Sequence, residues 1–230
     1  PWEWHAELFD YAHSLKLEIF SSPFDKTSVD FLERLSVPIY KIASFEIQDI
    51  PLIEYVASKG KPMILSTGIA SLGDIESALS ACRGKGNDQI TLLKCTSAYP
   101  APLEEANLLT IPNIRETFSV DVGLSDHTMG SSSAIAAVAL GASVIEKHFI
   151  LDRSQGGPDS SFSMEPEEFA FLVESIREVE VALGEISYTL TEKVKQNKVF
   201  SRSLFIVKDV KVGELVSEFN IRSIRPGYGL

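Results

Sequence analysis

Two histidines offer the clearest chemistry in this chain: His127, in Val122-Gly-Leu-Ser-Asp-His-Thr128, and His148, in Val144-Ile-Glu-Lys-His-Phe149. Each ends a short apolar run of the kind that forms a buried strand. If the two strands are parallel neighbours, both imidazoles emerge at one rim of the sheet, each with a carboxylate close by in sequence, Asp126 and Glu146. A single histidine at a strand end is more often a packed or surface residue; the pair is what points to a metal. Two neutral imidazoles with open positions for water and a substrate oxygen suit a six-coordinate Mn²⁺, Mg²⁺ or Co²⁺, whereas structural zinc requires four closed ligands. The ion would polarise a carbonyl and orient the reactants.

Other strand ends are rich in donors. Lys41, Ser22, Ser44, Ser66, Thr67 and Ser97 would bring one ammonium and several hydroxyls to the same mouth, which suits a phosphate or carboxylate. A serine or threonine in such a place also caps loops, the blander reading for any one of them. Lys41 and Ser44 differ by an odd number, so a regular strand would aim them at opposite faces unless a bulge or turn intervenes. Glu46 shares parity with Ser44 and is a candidate general base or sugar-hydroxyl acceptor, with a surface ion pair as the competing reading. Glu146 and His148 share parity and should both point inward, where a buried glutamate needs a lysine or a ligand. Lys41, Lys94 and Lys147 raise a rival mechanism, a Schiff base on a desolvated lysine, but it leaves the paired histidines without a role.

Positioning these groups requires a repeating scaffold. Six apolar runs recur, Leu17 to Ser22, Tyr40 to Glu46, Met63 to Gly68, Ile90 to Thr96, Val120 to His127 and Ser143 to Phe149. Helical periodicity separates them at Lys26 to Leu35, Pro51 to Ser58, Asp74 to Cys82 and Ser132 to Leu140. Serial strand and helix fit either a doubly wound sheet or a (β/α)8 TIM barrel. Functional groups at nearly every strand end favour the barrel, which gathers all its C-terminal ends at one mouth, and no Gly-x-Gly-x-x-Gly supports a dinucleotide fold. Six strands and an opening helix, Trp4 to Leu15, predict an α/β barrel domain over 1–184 lacking its first two βα units. A helix from Pro166 to Leu183 with Gly184 as C-cap closes that domain. A linker follows over 185–200, and then the truncated start of a small β-rich domain over 201–230.

The bulk properties set limits. At 230 residues and 44% hydrophobic content the chain can bury a substantial core, and its net charge of -11 argues against nucleic acid or an anionic membrane as partner. No apolar stretch reaches the roughly 20 residues of a membrane span, and Pro1-Trp-Glu-Trp4 is not a signal peptide. Cys82 and Cys95, in a helix and at a strand end, are expected as reduced thiols of a cytoplasmic protein.

Seven ordered motifs carry a resemblance: Phe20-Ser-Ser-Pro-Phe-Asp25, Lys41-Ile-Ala-Ser-Phe-Glu46, Leu65-Ser-Thr-Gly68, Lys94-Cys-Thr-Ser-Ala-Tyr-Pro100, Gly123-Leu-Ser-Asp-His-Thr128, Glu146-Lys-His-Phe149 and Gly157-Pro-Asp159. Together they resemble the sialic acid synthase (N-acetylneuraminate synthase) family along essentially the whole chain. Pro23 to Thr27, the run ending at Pro102, and Ser223 to Leu230 look most like its pseudaminic branch rather than the sialic or legionaminic ones. The resemblance implies metal-dependent condensation of phosphoenolpyruvate with an open-chain amino sugar, for that branch 2,4-diacetamido-2,4,6-trideoxy-L-altrose. It implies His127 and His148 as ligands of a divalent metal. Phosphoenolpyruvate would be held by Ser22, Lys41, Ser44, Ser66, Ser97 and Ser125. The sugar would be met by Glu46, Tyr99 and Asp159, with Lys41 and Glu46 the catalytic groups. It further implies a C-terminal antifreeze-like (SAF) domain that reaches across a domain-swapped homodimer, with Arg225 contacting the sugar. A noncatalytic sugar- or phosphate-binding barrel is the alternative of a different class.

Overall fold

A computed structural model describes residues 2–225, which fall into two compact units, one up to Gly184 and one from Glu185. In the first unit five strands, β1 (Tyr40–Ile42), β2 (Met63–Ser66), β3 (Ile90–Cys95), β4 (Asp121–Asp126) and β5 (Val144–Lys147), form one parallel sheet in sequence order. A doubly wound sheet reverses its strand order at a switch point; this one does not, so it is singly wound like a barrel wall. The register preserves facing across the sheet: Ile42 pairs with Leu65, Leu65 with Leu92, Lys94 with Leu124 and Asp126 with Lys147. The alternate set, which includes Lys41, Ser66, Cys95, Ser125 and Glu146, therefore lines the other face.

Right-handed crossovers place the helices on the convex side. There Tyr40, Ile42, Leu65, Leu92, Val122 and Leu124 form one buried core with Val29, Leu52, Val56, Leu79 and Ile111. These five come from α2 (Lys26–Arg34), α3 (Ile50–Ala57), α4 (Leu72–Gly84) and α5 (Thr110–Phe118). Local chemistry starts the helices: Asp25 and Asp49 accept from Ser28 and Leu52 amides, and Ser71 and Asp74 close a reciprocal capping box on α4. No periodicity announced α5, because Pro112 reads as a breaker; it lies in the first turn, where a missing N–H is harmless. α1 (His5–Ser14), α6 (Ser132–Ala139) and α7 (Pro166–Leu183) fall where the apolar periodicity put them.

The sheet curls. Lys41 Nζ on β1 lies 3.4 Å from Glu146 Oε2 on β5. At about 4.8 Å per strand spacing a flat sheet would hold those strands roughly 19 Å apart, beyond the joint reach of the two side chains. Gly123 helps bring β4 and β5 together, since a Cβ there would run into the Val144 carbonyl and, at 2.6 Å, a Leu93 methyl.

Two expectations change. Leu17 to Ser22 forms no strand: Leu17 and Phe20 are exposed, and among the described residues no neighbour completes its ladder. The linker stretch carries a short helix, α8 (Glu192–Gln196), capped by Thr191 and followed by a 3-10 turn over Asn197–Phe200. Beyond it the second unit pairs β6 (Ser203–Ile206) antiparallel with β7 (Ile221–Ile224). Cys82 and Cys95 are free and buried, and no helix among the described residues is long and apolar enough to cross a membrane.

Tyr40 ties α2 to β1 through its hydroxyl, which donates to Glu33 at 2.7 Å, while Lys61 meets the same carboxylate at 2.8 Å. Burial pushes the Glu33 pKa up, but the Lys61 and Tyr40 contacts outweigh it and hold it below the usual glutamate value. A depressed carboxylate stabilises the fold above its unfolded pKa, near 4.3, and loses that contribution as pH falls through the folded value. Glu33→Gln should therefore cost about 1 kcal/mol at neutral pH, with the deficit closing below about pH 4, as read by urea unfolding across pH. Parallel curves down to pH 3 would refute it.

Candidate functional site

The concave face and its rim hold the titratable chemistry. Lys41, 6% exposed, donates to Ser66 Oγ at 2.8 Å and approaches Glu146; Ser125 Oγ donates to Glu146 Oε1 at 2.6 Å. The two edge strands and two of the three strands between them, β2 and β4, thus share one polar network. Glu146 is inward as parity required, but its side chain is 41% exposed, so the buried Lys41 meets it in an open concavity and the expected buried glutamate is not found.

Strand β1 ends at Ile42, and a 3-10 turn over Ser44–Glu46 replaces alternation with a tighter winding. That turn answers the parity problem of Lys41 and Ser44. Ser44 Oγ accepts the Gly68 amide at 3.1 Å, and Gly68 marks the tightest approach at the site. A Cβ there would collide with Ser97 Oγ and come within 2.8 Å of Ser44 Oγ and 3.0 Å of Cys95 Sγ. Ser44, Ser97 and Cys95 therefore converge over a bare peptide unit. The same turn cancels the parity expected between Ser44 and Glu46, yet Glu46 still carries a buried oxygen, Oε2, without a hydrogen-bond partner. A carboxylate oxygen in that state is ready for a ligand hydroxyl or proton.

The histidines meet as expected from adjacent parallel strands. Their ring centroids lie 5.2 Å apart, and Tyr99 stands 4.3 Å from the His127 ring and 6.2 Å from that of His148. His127 Nδ1 is 3.0 Å from the Thr96 carbonyl, which can only accept, so Nδ1 carries the proton and the Nε2 lone pair is left for a ligand. Burial, reinforced by the neighbouring His127, lowers the His148 pKa and keeps its ring in the neutral, ligating form. Burial favours the neutral ring of His127 too, but the Cys95 thiol and the Thr96 carbonyl carry its pKa above the ordinary value. Asp159 Oδ2 stands 3.7 Å from His148 Nδ1. Among the described residues no group of three or more His, Cys, Asp or Glu is placed to hold a metal ion, so the chain offers at most the two imidazoles as a donor pair. This donor set fits an ion that keeps open positions, and does not fit tetrahedral structural zinc.

Several sequence readings are redirected. Asp126 does not attend His127: it faces the helix layer and pairs with Lys147 at 2.7 Å, both nearly inaccessible. Lys94 also faces that layer, donating to the Cys95 carbonyl and Thr96 Oγ1, with burial lowering its pKa. Of the three lysines weighed for a Schiff base, only Lys41 lies on the concave face. Ser22 is half-buried at the end of the unpaired run, and no hydrogen bond joins it to the cradle. Arg225 is exposed beside β7 in the second unit, and the final residues 226–230 of its motif lie outside the described ones.

Cys95 is free and buried, as expected of a reduced thiol, and it also faces the site. Burial raises its pKa, but hydrogen bonding to His127, Ser44 and Ser97 prevails and brings it down to about 7. Its parity with Leu93 on β3 was the available signal. Phe162 was also missed; its ring packs 4.9 Å from His148 and 5.9 Å from Tyr99. The loop bearing it is clamped by Arg153, which pairs with Glu165 and Glu168 and donates to the Ser163 carbonyl.

The NeuB family model matches residues 1–188. The chain belongs to the NeuB family. A pseudaminic acid synthase of Helicobacter pylori is 51% identical over 231 residues, spanning 100% of this chain and 68% of the relative. An N,N'-diacetyllegionaminic acid synthase of Campylobacter jejuni is 44% identical over 98% of this chain and 69% of its own length. Among solved structures, an N-acetylneuraminic acid (sialic acid) synthetase from Leptospira borgpetersenii, crystallised with citrate, superposes with a TM-score of 0.81 at 34% identity. It covers 86% of this chain and 69% of its own. The NeuB relatives are thus synthases of sialic-acid-like sugars, while their printed products differ.

The crowding over Gly68 makes a prediction for this NeuB chain. Gly68→Ala should displace Ser97 and Ser44 and cost about 1–3 kcal/mol, measured by chemical denaturation. A variant of unchanged stability and unchanged ligand binding would show that the approach is looser than described.

Proposed function

We propose that this chain carries the catalytic face of a pseudaminic acid synthase, a transferase of carbohydrate biosynthesis. It would join phosphoenolpyruvate to 2,4-diacetamido-2,4,6-trideoxy-L-altrose, giving the nine-carbon acid and phosphate. One observation carries the reading: Lys41, Ser44, Ser66, Ser97 and Ser125 gather on one concave face beside paired imidazoles. A doubly anionic small molecule on an otherwise acidic protein needs such a local cluster of donors. The 51% identity to the H. pylori pseudaminic acid synthase, against 44% to the legionaminic one, supports the choice of sugar.

Lys41 and the serine hydroxyls hold the phosphate and carboxylate so that the enol carbon faces the aldehyde. His127 and His148 would hold a divalent ion, Mn²⁺, Mg²⁺ or Co²⁺, which when bound supplies charge to polarise the aldehyde oxygen. A bond forms between the enol carbon and the aldehyde carbon, and the aldehyde oxygen takes up a proton. Water adds to the resulting oxocarbenium carbon, losing a proton, and phosphate leaves with its bridging oxygen. Glu46, with its unpartnered Oε2, accepts a sugar hydroxyl or moves one of these protons. Tyr99 and Asp159, flanking the histidines, contact the sugar. Lys41 exchanges part of its contact with Glu146 for the phosphate as the substrate arrives.

In the full-length protein the half-barrel would be completed to eight strands. The β6–β7 hairpin would open an SAF domain that brings Arg225 to the sugar across a domain-swapped, cytoplasmic homodimer. Relatives about half as long again as this chain support that reading.

Full-length protein should release phosphate from phosphoenolpyruvate only with metal and the trideoxy altrose sugar, and mass spectrometry should show the nine-carbon acid. Lys41→Met should lower kcat/KM by about 10²–10³-fold, largely through weaker phosphoenolpyruvate binding. Turnover of N-acetylmannosamine at least as fast would overturn the choice of sugar, and binding without turnover would overturn the enzyme.

A further inference from the structure

On the convex side of the same strand ends lies a group that the reaction does not use. Asp126 and Lys147 are register partners on β4 and β5, and each immediately precedes one of the histidines. Their side chains are 1% and 2% exposed and meet at 2.7 Å. Lys147 Nζ also donates to the Thr128 carbonyl at 2.6 Å, and Asp126 Oδ1 accepts the Thr128 amide at 2.9 Å. Thr128 Oγ1 donates to Ser133 Oγ at 3.1 Å, which anchors the turn to α6. The backbone on both sides of His127 and the residue before His148 are therefore held by one closed network.

For a fold alone this is an expensive arrangement. A buried ion pair repays its desolvation only with good geometry and every remaining hydrogen bond satisfied, and apolar replacements of similar volume often serve stability as well. Side chains that alternate along β4 and β5 put the pair and the two rings on opposite faces of the same residues' backbone. The pair thus joins β4 to β5 one residue before each ring.

We propose that the Asp126–Lys147 pair is a positioning device that sets the spacing of His127 and His148 for a divalent cation. The inference rests on the metal reading given above. Groups behind metal ligands typically change affinity by about 10–100-fold when altered.

The test uses the full chain and Mn²⁺ alone, with affinity read by calorimetry, the bound ion by electron paramagnetic resonance, and the fold by thermal melting. Asp126→Asn, and the apolar pair Asp126→Leu with Lys147→Met, should bind Mn²⁺ about 10–100-fold more weakly with an altered resonance. Leu79→Ala, a core change in α4, should melt earlier yet keep its Mn²⁺ affinity. His127→Ala and His148→Ala should abolish binding; if they retain it, the metal reading itself fails. If they lose it while folded Asp126 and Lys147 variants keep the parent affinity, the positioning role fails alone. Equal weakening in Leu79→Ala would overturn it as general loosening. Failure of both pair variants to fold would also overturn it, by showing that the pair serves the fold instead of the ring spacing.

Discussion

The site depends on one contact across a concavity, the 3.4 Å approach of Lys41 to Glu146. It joins the first strand of the sheet to the fifth, which only a curved wall allows. Serines from the intervening strands complete the bridge, Ser66 toward the lysine and Ser125 toward the glutamate. Curvature and charge are thus the same feature seen twice. A flat sheet would spread these donors over a surface; the curved one turns them toward one another on a concave face.

Much of this was legible from alternation. Period-two facing in a parallel sheet assigns Lys41, Ser125, Glu146 and the two histidines to one side, and the register confirms that side for the strand residues. The same rule, applied to Asp126, would have turned it away from His127; proximity in sequence argued the other way, and geometry decides for alternation. Where the strand stops, so does the rule. The 3-10 turn at Ser44–Glu46 could not be read from hydrophobic pattern, so Lys41 and Ser44 seemed opposed and Glu46 seemed aligned with Ser44.

What the sequence concealed was mostly crowding. Nothing in Cys95 as a letter distinguishes a packed thiol from one held at about 7 by His127, Ser44 and Ser97. Phe162 belongs to a polar, glycine-bearing loop, and its ring lies beside His148 in a segment that Arg153 ties to Glu165 and Glu168. The strand predicted at Leu17 to Ser22 shows the complementary limit: an apolar run specifies a capacity for pairing, while the ladder requires a neighbour.

The bare peptide at Gly68 has a consequence for recognition. The floor under Ser44, Ser97 and Cys95 is the main chain of the turn that follows β2, and main chain has no rotamers with which to accommodate a differently shaped guest. An anion bound there as proposed would cost little main-chain conformational freedom. The same rigidity makes the cradle intolerant: an anion bulkier at this point can gain entry only by moving the backbone. In the proposed function, discrimination among small anions would be a property of where a side chain is absent.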